Sequence, residues 1–157
     1  MAFQFVLLAA LCAAYVQGYP QGETAEPSKA LASQINTFKS TVEKCKTDLN
    51  ASPETVDLIG KKVLPTDENQ RCFLECVYKN LNIIKDDKFN SEAVKGFAKE
   101  RYPEGDEQLT KSQATIDKVE SCMKETPVAT EKCAVATTLR TCFFKNADEK
   151  KLSMGMF

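Results

Sequence analysis

Cysteine spacing constrains this chain more than any other feature. Seven cysteines occur, and six of them run Cys45-x26-Cys72-x3-Cys76-x45-Cys122-x10-Cys133-x8-Cys142. The seventh, Cys12, lies in an unbroken apolar run of 12 residues from Phe5 to Val16, inside a first 20 that hold no Asp, Glu, Lys or Arg. Such a run is shorter than the roughly 20 apolar residues a membrane span needs. It fits the h-region of a secretory signal peptide, and Val16, Gln17 and Gly18 precede an expected cut after Gly18. The reading is a signal peptide over 1–18 and one exported domain over 19–157, whose last residues, 148–157, form a tail. An even set of six cysteines in an oxidising compartment is expected to be paired.

Between the cysteines the apolar residues recur with a helical period. Pro27, Pro53, Pro65, Pro103 and Pro127 fall between the periodic segments, where a residue without an N–H does least harm. A first helix is expected from about Ser28 to Leu49, with Leu31, Ile35, Phe38, Val42 and Cys45 forming one apolar stripe. Ser52 as N-cap, Pro53 at the first helical position and Glu54 in the first turn open a short second helix ending near Lys61. A third starts at Thr66 or Asp67 and runs to about Leu81, with Cys72, Phe73, Cys76, Val77 and Leu81 inward. Asn90 caps a fourth, ending before Pro103 and burying Val94, Phe97 and Ala98. The fifth spans about Asp106 to Glu125 on Leu109, Ile116, Val119 and Met123. A sixth, about Thr130 to Asn146, is apolar nearly all round its circumference, as a buried helix is. The fold class is all-α.

Helix geometry removes some of the fifteen ways to pair six cysteines. Cys72 and Cys76, four apart, project side by side rather than at each other. Cys133 and Cys142 would stand about 13 Å apart along one helix, beyond the roughly 7 Å reach of a bridge. Ten connectivities survive these two exclusions. Nine residues also turn a helix by about 900°, which places Cys133 and Cys142 on opposite faces and has the sixth helix tied on both sides.

Other chemistries are set aside by what the chain lacks. Its 21 basic and 22 acidic side chains all follow residue 20, balance to a net charge of −1 and form no basic block, which argues against nucleic-acid binding. Histidine is absent, and with it Ser-His and Cys-His nucleophiles, imidazole acid–base work and the commonest zinc ligand. A C-x3-C without histidine has no partner set with metal spacing, so no metal or cofactor is expected. Acid pairs such as Glu43 with Asp48 or Asp86 with Asp87 read as solvated charge rather than a general acid–base couple. The chain is not read as an enzyme.

The C-x26-C-x3-C-x45-C-x10-C-x8-C pattern resembles that of the insect odorant-binding proteins, of the pheromone-binding and general odorant-binding type, whose x3 and x8 gaps are the most constrained. The stretch from Cys72 to Ile84, followed by Lys85 to Asn90, looks like that family's third helix and the turn after it, and the resemblance covers about Ser28 to Asn146. It implies the pairs Cys45–Cys76, Cys72–Cys133 and Cys122–Cys142, each able to stabilise by roughly 3–4 kcal/mol in the chain-entropy model. It implies a bundle of about six helices stapled around an apolar cavity, a small hydrophobic ligand as partner, and a membrane chemoreceptor and a second copy of the chain as further candidate partners. Two features depart from the pattern. The x45 gap is a few residues longer than usual, which places the excess around Lys99 to Thr110. The missing histidine separates this chain from relatives that titrate to release ligand.

Disulfides at helix crossings let a small domain keep its shape around an unfilled centre. The expected lining is Ile35, Phe38, Val77, Val94, Phe97, Ile116, Val119, Met123, Ala136, Leu139 and Phe143, with Met123 the most adaptable. A ligand burying about 250 Å² of apolar surface would gain roughly 6 kcal/mol before binding costs. The tail, charged over Asp148 to Lys151 and apolar at Leu152, Met154, Met156 and Phe157, is read by analogy as a lid, with a frayed end as the alternative. Asn50-Ala51-Ser52 is a glycosylation sequon, expected to stay mostly empty because Pro53 follows. The functional expectation is a secreted carrier of odorants, pheromones or related semiochemicals. The alternatives are a carrier of lipids or other hydrophobes in haemolymph, saliva or reproductive secretions, and a secreted signalling or inhibitor domain.

Overall fold

Side chains that satisfy the first free N–H groups set most of the helix starts. The computed structural model describes residues 29–147, and among these the chain forms α1 (Lys29–Asp48), α2 (Pro53–Asp57), α3 (Glu68–Asn80), β1 (Ile84–Lys85), β2 (Lys88–Phe89), α4 (Ser91–Arg101), α5 (Glu107–Glu125) and α6 (Ala134–Asn146). The signal segment and the tail expected at 148–157 lie outside the described residues. Ser52 Oγ accepts from the Thr55 N–H at 3.3 Å with Pro53 opening α2, as the sequence reading has it. Asp67 caps α3 through the Gln70 N–H at 2.9 Å, while Gln70 Oε1 reaches back to the Thr66 N–H at 2.8 Å, a reciprocal arrangement of the capping-box kind. Asn90 caps α4 by accepting from the Ala93 N–H, and Asp106 caps α5 by accepting from the Gln108 N–H.

The fold is all-α, with one two-stranded exception. Asp86 and Asp87 both take positive φ, 49° and 55°, the pairing a tight primed turn requires, and this closes an antiparallel hairpin with Ile84 opposite Phe89. The hairpin presents its apolar members inward: Ile83 and Ile84 are buried, and Phe89 meets Phe143 edge-on at 5.8 Å between ring centroids.

The sixth helix starts later than expected. Residues 130–133 are not helical, because Cys133 adopts a left-handed conformation (φ 60°, ψ 23°) that a helix interior does not accommodate. From Ala134 the expected character appears, with Ala134, Val135, Ala136, Thr138, Leu139, Arg140, Cys142 and Phe143 all buried. The long gap between Cys76 and Cys122 makes no long loop: α4 and α5 are joined by Tyr102 to Asp106 alone, with Tyr102 extended ahead of Pro103 and Gly105 at φ 86°.

Helix α3 is the hinge of the packing because it buries two faces. Phe73 and Val77 join Cys45 in one apolar cluster, against which Phe38, Val42 and Leu81 pack. Leu74 and Tyr78 join a larger one with Ile83, Val94, Ile116, Val119, Ala136, Leu139 and Phe143. Bridges link Cys45 to Cys76, Cys72 to Cys133 and Cys122 to Cys142, at Cα separations of 5.9, 5.0 and 5.7 Å. They are the three pairs the family resemblance implies. Helix α3 is thereby tied to α1 and to the entry of α6, and α5 to α6. Around the second bridge Arg71 Nε donates to the Lys132 carbonyl at 3.4 Å and Lys132 pairs with Glu68 at 3.0 Å.

Candidate binding cavity

The apolar stripe of α1 is buried at one end only. Cys45 is sealed into the core by its bridge to α3, whereas Ile35, nearly three turns earlier, is 41 % exposed. The reason is geometric: the bridge holds the C-terminal part of the helix against α3, and the N-terminal part extends beyond α3 to face α4. Between them lies a cavity of about 350 Å³. Leu31, Ile35 and Phe38 form its α1 wall, Leu81 and Ile83 come from the segment between α3 and the hairpin, and Val94 and Phe97 come from α4. Ile83 and Val94 are 4 % and 2 % exposed, so the floor is closed by the main core while the α1 side stands partly open.

Polar groups gather at the rim. Ser33, Gln34, Thr37 and Lys39 contribute from α1, and Glu100 and Arg101 from the last turn of α4. Gln34 spans the two helices, its Nε2 donating to the Phe97 carbonyl at 3.3 Å and to Glu100 Oε2 at 2.6 Å. An apolar basin with a few convergent polar groups can take an apolar molecule out of water and fix one end of it. A second hollow of about 380 Å³, between α5 and α6, is lined by Asp117, Lys118, Ser121, Glu125, Thr126, Lys145, Asn146 and the Cys122 bridge. Its charged and polar lining suits water better than a hydrophobe.

Of the residues picked from sequence, the structure brings Ile35, Phe38, Val94 and Phe97 together on the cavity. Val77 lies behind it in the cluster against which Phe38 and Leu81 pack. Ile116, Val119, Ala136, Leu139 and Phe143 sit in the larger core cluster, with Met123 packed against its edge. Leu31, Leu81 and Ile83 line the cavity as well. Leu31 was legible as the first member of the α1 stripe, and Ile83 became visible only with the hairpin that turns it inward. The acid pairs are surface charge: Asp48 pairs with Lys44, Glu43 with Lys46 and Asp87 with Lys79. Asn50, in the sequon, is exposed at φ 48° just past the end of α1.

No group of three or more His, Cys, Asp or Glu among the described residues is placed to hold a metal ion. No helix among them is long and apolar enough to cross a membrane.

Comparison with known proteins falls on this same frame. No curated protein matches the sequence. Among solved structures the fold is similar to odorant-binding protein dmelOBP28a from Drosophila melanogaster, with a TM-score of 0.61 at 21 % identity, over 76 % of this chain and 97 % of that one. The model of the PBP/GOBP family matches residues 28–146, from the start of α1 to the last residue of α6. With that match spanning most of the chain and including all six bridged cysteines, the chain belongs to the PBP/GOBP family, the insect odorant-binding proteins.

Proposed function

We propose that the chain is a secreted carrier that takes a small hydrophobic molecule, an odorant, pheromone or related semiochemical, into the cavity between α1 and α4. The family is one of odorant-binding carriers and not of enzymes, which supports the general reading. The observation that carries the specific one is the half-open α1 stripe: Leu31, Ile35 and Phe38 line the cavity, Ile35 stands exposed, and a guest would cover it. The mechanism is partition into a preformed basin, at about 25 cal/mol per Å² of apolar surface removed from water. Ile35, Phe38, Val94 and Phe97 would touch the guest, while Val77, Ile116, Val119, Met123, Ala136, Leu139 and Phe143 would hold the surrounding shell. The tail at 148–157 is proposed as the cover of the open side, a membrane chemoreceptor as the recipient, and a homodimer as a further assembly. A carrier role in haemolymph, saliva or reproductive secretions rests on the same cavity and differs by where the gene is expressed.

The test is a fluorescence titration of the oxidised protein with N-phenyl-1-naphthylamine, followed by competition with apolar volatiles. Ile35→Asp changes an exposed wall residue, so the fold should survive. It should weaken the probe about three- to tenfold by withdrawing apolar contact and placing a charge beside the guest. Probe binding that is absent, or indifferent to Ile35→Asp, would remove this cavity as the carrier site and return the signalling or inhibitor reading.

A further inference from the structure

Gln34 is held so that only one side of its amide remains for a guest. Its nitrogen meets a backbone carbonyl on Phe97 and a carboxylate oxygen on Glu100, and both of these accept. Chemistry therefore fixes the amide's orientation: the NH2 group must face α4, with both hydrogens engaged. What is left is Oε1, an acceptor with no partner among the described residues. The second oxygen of Glu100 is likewise without one. At Gln34 the rim therefore offers a free acceptor, while Ser33, Thr37, Lys39 and Arg101 are the donors elsewhere on it.

Resting on the carrier reading above, we infer that Gln34 selects for a guest whose polar end is a hydrogen-bond donor, a primary alcohol being the simplest. The hydroxyl sits on Gln34 Oε1 and the alkyl chain runs down over Ile83, Val94 and Phe97. An aldehyde or ester of the same length brings only acceptors. Set against Gln34 Oε1, its oxygen gains no hydrogen bond there while Oε1 loses its water, and that asymmetry separates the two classes. Gln34 is half-buried rather than sealed, so the discrimination is modest, about three- to tenfold. Lys39 and Arg101 also reach the lining and are the groups that would favour a carboxylate instead.

The experiment displaces N-phenyl-1-naphthylamine from the oxidised protein with decanol, decanal, methyl nonanoate and decanoate, comparing wild type with Gln34→Leu and Gln34→Met. The expected result is decanol binding about three- to tenfold more tightly than decanal or methyl nonanoate in the wild type. Both variants should reduce that ratio to within about twofold, since neither leucine nor methionine offers a comparable acceptor. The ratios are taken within one protein at a time, so a loss of stability in a variant does not enter them. Equal affinities in the wild type, a decanol preference that survives both variants, or decanoate as the tightest competitor would each overturn the assignment, the last in favour of Lys39 and Arg101. If all four competitors fail to displace a bound probe, or the probe itself does not bind, the carrier reading fails and this inference with it. Displacement without selectivity sinks the inference alone.

Discussion

Arg140 Nη1 donates to the hydroxyl of Tyr78 at 3.2 Å, and both side chains are buried, Arg140 to 1 % exposure. Its Nε donates to the Val63 carbonyl at 2.7 Å, its Nη2 donates to the carbonyls of Leu58 and Lys61, and its guanidinium stacks over Phe144 at 4.8 Å from the ring centroid. No carboxylate among the described residues forms an ion pair with it. A buried cation is costly unless its donors are satisfied. Here backbone carbonyls of the link between α2 and α3 take the place of a counter-ion. Arg140 thus fastens that link to α6, a job the planar five-donor fork can do and a lysine cannot.

Replacing Arg140 should therefore cost far more than an ordinary surface arginine. Arg140→Ala withdraws the hydrogen bonds given to three carbonyls and the Tyr78 hydroxyl and opens a cavity, for a loss of about 3–5 kcal/mol. Arg140→Lys should recover only part of it. Urea unfolding of the oxidised proteins measures both, and a loss below about 1 kcal/mol for the alanine variant would contradict the role described.

Tyr78 makes stability depend on alkaline pH. Burial pushes its hydroxyl above the ordinary tyrosine range, and the charge and hydrogen bond of Arg140 offset part of that shift. With the folded value raised, the contribution is complete below the unfolded value of about 10 and is lost as pH climbs through the folded one. Wild type should lose stability above about pH 10 more steeply than Tyr78→Phe, as read from urea midpoints across pH 9 to 11. Parallel curves would show that Tyr78 titrates no differently in the two states.

The three bridges should differ in worth according to the loop each closes. Sequence separations of 20, 31 and 61 for Cys122–Cys142, Cys45–Cys76 and Cys72–Cys133 correspond to about 3.3, 3.7 and 4.3 kcal/mol in the chain-entropy model. Removing Cys72 and Cys133 together should lower the urea midpoint most. For ligand binding the order changes, because only Cys45–Cys76 anchors the helix that forms the cavity wall. Its removal should impair probe binding even where the other two double variants still bind.

Ligand affinity should stay nearly flat from about pH 7.5 to 6, because the chain has no histidine to titrate there. Glu120, hydrogen-bonded to Lys124 and Ser91, is held below the ordinary carboxylate range, and so is Glu54 by its backbone and Ser52 hydrogen bonds. Both shifts move titration further from that window. Probe affinity measured at both ends should agree within about twofold. A steep loss would demand a carboxylate shifted upward.

Truncation after Lys151 tests the tail. If residues 152–157 cover the open side of the cavity, the probe's dissociation rate should rise by several-fold on removing them. An unchanged rate would leave the cavity uncovered by this segment.

The parts of the fold legible in the sequence are those governed by local rules. Ser52, Asp67, Asn90 and Asp106 cap helices because short polar side chains satisfy free N–H groups wherever they stand. The parts that escaped depend on contacts across the chain. Cys133 in a left-handed conformation delays α6, and nothing in residues 130–133 announces it. The Asp86–Asp87 turn lacks the glycine or asparagine that usually marks a hairpin. Arg140 reads as a solvent residue until the carbonyls of Leu58, Lys61 and Val63 are seen around it. Periodicity likewise shows that Ile35 and Val119 both lie on apolar faces. It does not show that one borders a void and the other a neighbour, since that is decided by where the Cys45 bridge stops holding α1 against α3.

A guest seated between α1 and α4 is tested most directly by its contacts within the complex. Isotope-filtered nuclear Overhauser spectra of methyl-labelled protein with unlabelled decanol should show ligand protons close to the methyl groups of Ile35, Leu81, Ile83 and Val94, and not to those of Val119 or Leu139. Contacts confined to Val119 and Leu139, or to residues lining the hollow between α5 and α6, would contradict it.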